Sequence, residues 1–83
     1  MFFVDLAEPW DVVRFMITSV NRNVTVSFKD SNLTVISGVI TVPGGDVTRQ
    51  HEVRYDDKGR RRIRHMEIRA NDVVRFDTFK FRR

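Results

Sequence analysis

Hydrophobic positions recur along this chain with two different periods, and the change falls near residue 21. Trp10, Val13, Ile17 and Val20 follow the i, i+3, i+7, i+10 stripe of an amphipathic helix. Pro9 suits a first helical turn, where its missing N–H costs nothing. Glu8 and Asp11 place negative charge at the favourable end of the helix dipole. Asn21-Arg22-Asn23 interrupts the stripe. The spacing therefore predicts one short helix over residues 9–20.

Beyond Asn23 the period becomes two. Val24, Val26 and Phe28 alternate with Thr25 and Ser27, as in a half-buried strand. Asp30-Ser31-Asn32 reads as a turn. Leu33 to Val42 is a β-branched run, broken by Ser37-Gly38 where a bend or bulge fits. Pro43-Gly44-Gly45-Asp46 is a loop. Val47 to Tyr55 alternates again, and Asp56-Asp57-Lys58-Gly59 reads as a hairpin turn. Arg60 to Ile68 and Val73 to Phe81 complete five strands over about 24–81, with Ala70-Asn71-Asp72 between the last two. The expected fold class is all-β with one N-terminal helix: a small, strongly bent, five-stranded antiparallel barrel.

Length and composition narrow the possibilities. A chain of 83 residues reads as a single domain over 1–83, and one this small often needs help from a staple or a partner. With no cysteine, disulfides, thiolate nucleophiles and cysteine-based zinc sites are excluded. Hydrophobic residues at 41% are too many for a disordered tail. No apolar run approaches the ~18 residues of a membrane span, and Asp5 follows the start too closely for a signal peptide. These features lead us to expect an intracellular protein, nuclear or cytoplasmic in a eukaryote, with no membrane partner.

The net charge of +4 is unevenly divided. Residues 1–48 hold three basic and five acidic residues, and residues 49–83 hold twelve basic and six acidic. Such asymmetry points to an anionic partner, nucleic acid first, against the plainer reading of a solvated charged strand face.

One segment is familiar. Ile68-Arg69-Ala70-Asn71-Asp72-Val73, followed by Val74-Arg75-Phe76, resembles the second signature motif of the Sm and Sm-like (Lsm) proteins. Val53 to Gly59 resembles the long fourth strand and hairpin of that family, and Val24 to Asp30 with Gly38 resembles its first motif. Two departures stand out. Thr41 to Val47 lacks the family's Met-Asn pair, and Ala70 replaces the motif glycine. The resemblance implies an Sm-like (SH3-like) barrel. It also implies a subunit of a small-RNA ribonucleoprotein, paired strand to strand with other Sm-like subunits and contacting single-stranded RNA. The missing Met-Asn favours an alternative, an interaction module of an snRNP-assembly complex that does not itself read RNA. An OB-type single-strand binder is a third reading.

The resemblance assigns RNA contact to Arg69 and Asn71, with Asp46 as the candidate in the altered loop. Alternation within Arg60 to Arg64 puts Arg60, Arg62 and Arg64 on one face, spaced to track phosphates. Met66, Ile68, Val74 and Phe76 are the expected subunit interface. Phe76, Phe79 and Phe81 among basic residues are either a stacking platform or core, with core favoured. His51 and His65 alone make no metal site, and no nucleophile, carboxylate-pair or phosphate-loop signature is present. We therefore expect no enzyme activity, no metal and no cofactor.

Overall fold

Alternation, and not helical spacing, governs the first third of the chain. The computed structural model describes residues 2–45, 47–70 and 74–83. The predicted helix over 9–20 is absent. In its place β1 (Phe2–Trp10) runs into β2 (Val12–Thr18). Five further strands follow: β3 (Val24–Lys29), β4 (Ile40–Val42), β5 (His51–Asp56), β6 (Ile63–Arg69) and β7 (Arg75–Arg82). They form two antiparallel sheets, ordered β1-β6-β3-β4 and β5-β2-β7. The expected five-stranded barrel is thus corrected to seven strands in two sheets that do not close.

The physical reason for the first correction lies in two periods that share positions. Val13 and Ile17 fit both a helical stripe and a strand face. Phe15 fits only the strand, and all three are fully buried. Val12, Val13, Ile17 and Thr18 are β-branched, which disfavours helix and suits a strand. Pro9 sits in β1, an edge strand, where its lack of an N–H is tolerated. Ala7, at φ 63°, lies where the pairing of β1 with β6 shifts register between Asp5 and Trp10.

The described strands change sheet at five of their six connections, and two of these are corners tied by aspartates. Asp11 turns β1 of the first sheet into β2 of the second. Its N–H donates to the Arg82 carbonyl (2.9 Å), and its own carbonyl accepts from the Asp57 N–H (2.8 Å). The Asp11 carboxylate accepts the Gly59 N–H (2.6 Å). Gly59 has φ 83°, which a side chain would resist.

The expected hairpin at residues 56–59 does not form, because β5 and β6 belong to different sheets; the turn instead makes the second corner around Asp57, which is only 2% exposed. Its carboxylate accepts the Arg62 backbone N–H (2.8 Å) and two guanidinium N–H groups, Nε at 3.2 Å and Nη2 at 2.8 Å. Burial is the largest influence on this carboxyl and pushes its pKa up. The Arg62 hydrogen bonds and charge together outweigh burial, so the pKa lies below the usual aspartate value. Beside it the Tyr55 hydroxyl donates to the Ile36 carbonyl (2.9 Å), and burial raises its pKa.

Between the sheets lies one core. Val13, Phe15 and Ile17 of β2 and Val53 of β5 meet Val24, Val26 and Phe28 of β3 and Ile63, Met66 and Ile68 of β6. Phe28 stacks on Tyr55 across the gap, with ring centroids 5.4 Å apart. Each large aliphatic or aromatic side chain buried here stabilises the fold by roughly 1.5–3 kcal/mol.

Candidate nucleic-acid interface

The sequence-predicted residues do not converge on one surface. Arg60, Arg61 and Arg62 belong to the connection from β5, because β6 starts only at Ile63. Arg61 even takes φ 51°. The expected alternating row of Arg60, Arg62 and Arg64 therefore does not form along a strand. Arg62 is bound by the buried Asp57, and Arg64 is paired with Asp5. Arg61, Arg62 and Arg64 line a shallow cleft of about 290 Å³ with Pro9, Asp30 and Ser31. Arg69 lies five residues from Arg64 along β6, ~17 Å by strand rise. Its guanidinium is mostly exposed and reaches Glu67 at 3.4 Å. Asn71 and Asp46 lie outside the described residues.

The expected interface residues fare differently from one another. Met66 and Ile68 are buried in the chain's own core. Both edges of β6 are taken, by β1 and by β3, so residues of β6 have no backbone edge to offer. Val74 and Phe76 are half-buried against the core, and Phe76 meets Phe2 and Phe15 edge-on. Phe76 belongs to β7, which among the described residues has a partner on one side only, β2, and Val74 lies just before that strand.

The outer face of the second sheet carries an arrangement that the sequence reading missed. Arg14 of β2 stands directly opposite Arg54 of β5 on one side and Lys80 of β7 on the other. Three cations thus lie in line across three strands, with directly opposed side chains about 5 Å apart at Cβ. Like charges so placed destabilise a sheet. The nearest acids are off the row. Glu52 is 4.0 Å from Arg14, and Asp56 is 3.6 Å from Arg54. Both pairs are well exposed and worth little. Among the described residues no salt bridge reaches Lys80 or its neighbour Arg82.

These side chains frame a cleft of about 370 Å³, lined by Val12, Arg14, Arg54, Lys80, Phe81 and Arg82. Val12, only 7% exposed, and Met16 are the apolar residues that β2 turns to this outward face. A cationic rim around a small apolar patch is suited to an extended anion with some apolar surface. One signal in the sequence pointed here. Arg14 lies between Val13 and Phe15, so a strand reading turns it outward, whereas a helical reading places it on a generic polar side.

Around the β7 edge, Phe76, Phe79 and Phe81 share the inward face. Simple alternation would separate Phe76 from Phe79. A register shift opposite Arg14–Met16, with Thr78 at φ 55°, inserts the extra residue that brings them into line. The histidines do not join this site. His51 pairs with Ile17 in β5, and His65 stacks under Phe3 on the other sheet. No group of three or more His, Asp or Glu side chains placed for a metal ion occurs among the described residues. No helix there is long and apolar enough to cross a membrane.

No protein-family model, curated protein or solved structure matches the chain.

Proposed function

We propose that the chain binds single-stranded RNA as a small β-sheet module of a ribonucleoprotein assembly, through the outer face of β5-β2-β7. The observation that carries this reading is the row Arg54–Arg14–Lys80. Glu52 and Asp56 offset the three opposed cations only in part, and the remaining repulsion is best offset by an external polyanion. Arg82 extends the row along β7, and the cleft among these residues suits an extended strand. RNA is preferred among polyanions because Ile68 to Phe76 resembles a family signature associated with RNA. The resemblance now rests on sequence alone, since the barrel it implied is not the fold found.

Salt tests the electrostatic part. Four phosphate contacts, by Arg14, Arg54, Lys80 and Arg82, predict that log K for an oligouridylate falls against log salt with a slope of about −3. Arg14→Gln should weaken binding and make the slope shallower by about 0.7. Binding that ignores salt, or a slope unchanged by Arg14→Gln, would remove the face from consideration.

A second reading keeps the module but changes the partner. The outer edge of β7 is unpaired by any described strand, and such an edge can take a strand of a partner protein. This reading expects a stable complex whose mass in solution exceeds one chain and which a proline at an edge position of β7 dissolves.

A further inference from the structure

The inward face of β7 is less buried than a sandwich core should be. Phe79 is 42% and Phe81 38% exposed, although Phe15 behind them is fully buried. Phe15 stacks on Phe79 with ring centroids 5.0 Å apart, which seals the inner end of the row. Across the seam, Trp10 of β1 meets Phe81 at 5.4 Å. Phe79 and Phe81 stand nearly parallel, 13° apart in plane with centroids separated by 6.4 Å. The seam therefore offers parallel aromatic planes, open to solvent, on a strand whose opposite face carries Lys80 and Arg82.

We propose that the seam formed by Trp10, Phe79 and Phe81 is a base-stacking subsite for single-stranded RNA. It rests on the phosphate row proposed above. The two sites lie on opposite faces of one edge strand, so a strand whose backbone tracks the cations can turn its bases over the edge of β7. Three observations favour bases over another occupant. The seam adjoins cations that suit phosphates. The Arg83 guanidinium, paired with Glu8, lies 5.1 Å from the Trp10 ring centroid, so that aromatic face already carries a planar group that a base would displace. Finally, the rings are spaced at strand pitch, and base–aromatic stacking tolerates any base.

The test compares an oligouridylate with an abasic strand of the same length and charge, using the full chain. Trp10 is the single tryptophan, so its fluorescence reports occupancy of the seam directly. The wild-type chain should bind the base-bearing strand about tenfold more tightly, and only that strand should change Trp10 emission. Phe79→Leu should erase the preference while keeping the affinity for the abasic strand, and Phe79→Tyr should retain the preference. Equal, salt-sensitive binding of both strands by the wild-type chain would overturn the stacking subsite and leave the phosphate row standing. Binding of neither strand would overturn the phosphate row itself. A Trp10 change with zwitterionic phosphatidylcholine vesicles and none with oligouridylate would assign the seam to lipid and overturn the proposal.

Discussion

The outer faces of the two sheets are built from similar residues and treat charge in opposite ways. On the first sheet, charges meet in complementary pairs, across strands or along β6. Lys29 reaches Glu67 at 3.3 Å, Arg69 reaches the same carboxylate, and Arg64 holds Asp5. Phe3 lies over His65, and Lys29 stands 5.9 Å from the Phe3 ring, so this face is partly roofed by its own side chains. On the second sheet, cation faces cation from β5 to β7, and the cleft stays open. A face that satisfies itself contributes to folding. A face that leaves its charges opposed gives up a little stability and keeps its field for a partner. Counting arginines does not find the proposed interface. What distinguishes the two faces is which residue each arginine is set against.

Charge reversal should break this comparison most visibly. Arg14→Glu is expected to weaken oligouridylate binding roughly 30-fold at low salt, and Arg69→Glu less than about threefold. A larger loss at Arg69 would transfer the binding role to the first sheet and to the sequence-predicted site.

The next effect concerns the corner that holds the two sheets together. Asp57→Asn removes a buried carboxylate that accepts three N–H bonds from Arg62. Arg62 retains access to water, so the expected cost is about 2 kcal/mol, or a Tm lower by about 10 °C. The pH dependence follows from the sign of the shift. The folded pKa of Asp57 is lowered, so its contribution is present above the unfolded value of ~3.9. That contribution is lost as pH falls through the lowered folded value. Glu67 is also lowered, because its bonds and charges to Lys29 and Arg69 outweigh burial, and Asp5 is lowered first by the Ala7 N–H and then by Arg64. Thermal scans from pH 7 to pH 2 should show the wild-type Tm falling below about pH 4 and Asp57→Asn falling less.

The smallest effect sharpens the contrast by its sign. Lys29→Gln, on the self-paired face, should destabilise by about 1 kcal/mol, because Glu67 loses its closest cation. Arg14→Gln removes a cation of the same sign and should stabilise by about 0.5 kcal/mol, because it relieves two opposed like charges. Urea denaturation of both variants measures the difference. Equal destabilisation would mean that the two faces do not differ as argued.

The chain's residues decide several features by local chemistry alone. Val24, Val26 and Phe28 alternate and are buried in β3 as the pattern required. Asp56 to Gly59 turns the chain, with Lys58 and Gly59 at positive φ. Gly59 is permitted there because it has no Cβ. Other features needed partners distant in sequence. Residues 12–18 carry a pattern compatible with both helix and strand. Strands on both sides, β5 and β7, supply the hydrogen bonds and the face that make it a strand. The five-strand barrel failed for a related reason, since the corners at Asp11 and Asp57 send consecutive strands to different sheets.

The interface is the plainest case. Sequence alone determines that the second half of the chain is strongly basic and that arginine 14 follows and precedes apolar residues. It does not determine that Arg14, Arg54 and Lys80 stand in one line. That depends on the register of β2 with β5 and with β7, and a shift of one residue would turn each of these side chains to the other face. Register is set by how the inward residues of both sheets pack, Phe15 and Val53 among them. The position of a charge along the chain is a local fact, but its neighbour across a sheet is chosen by the whole core.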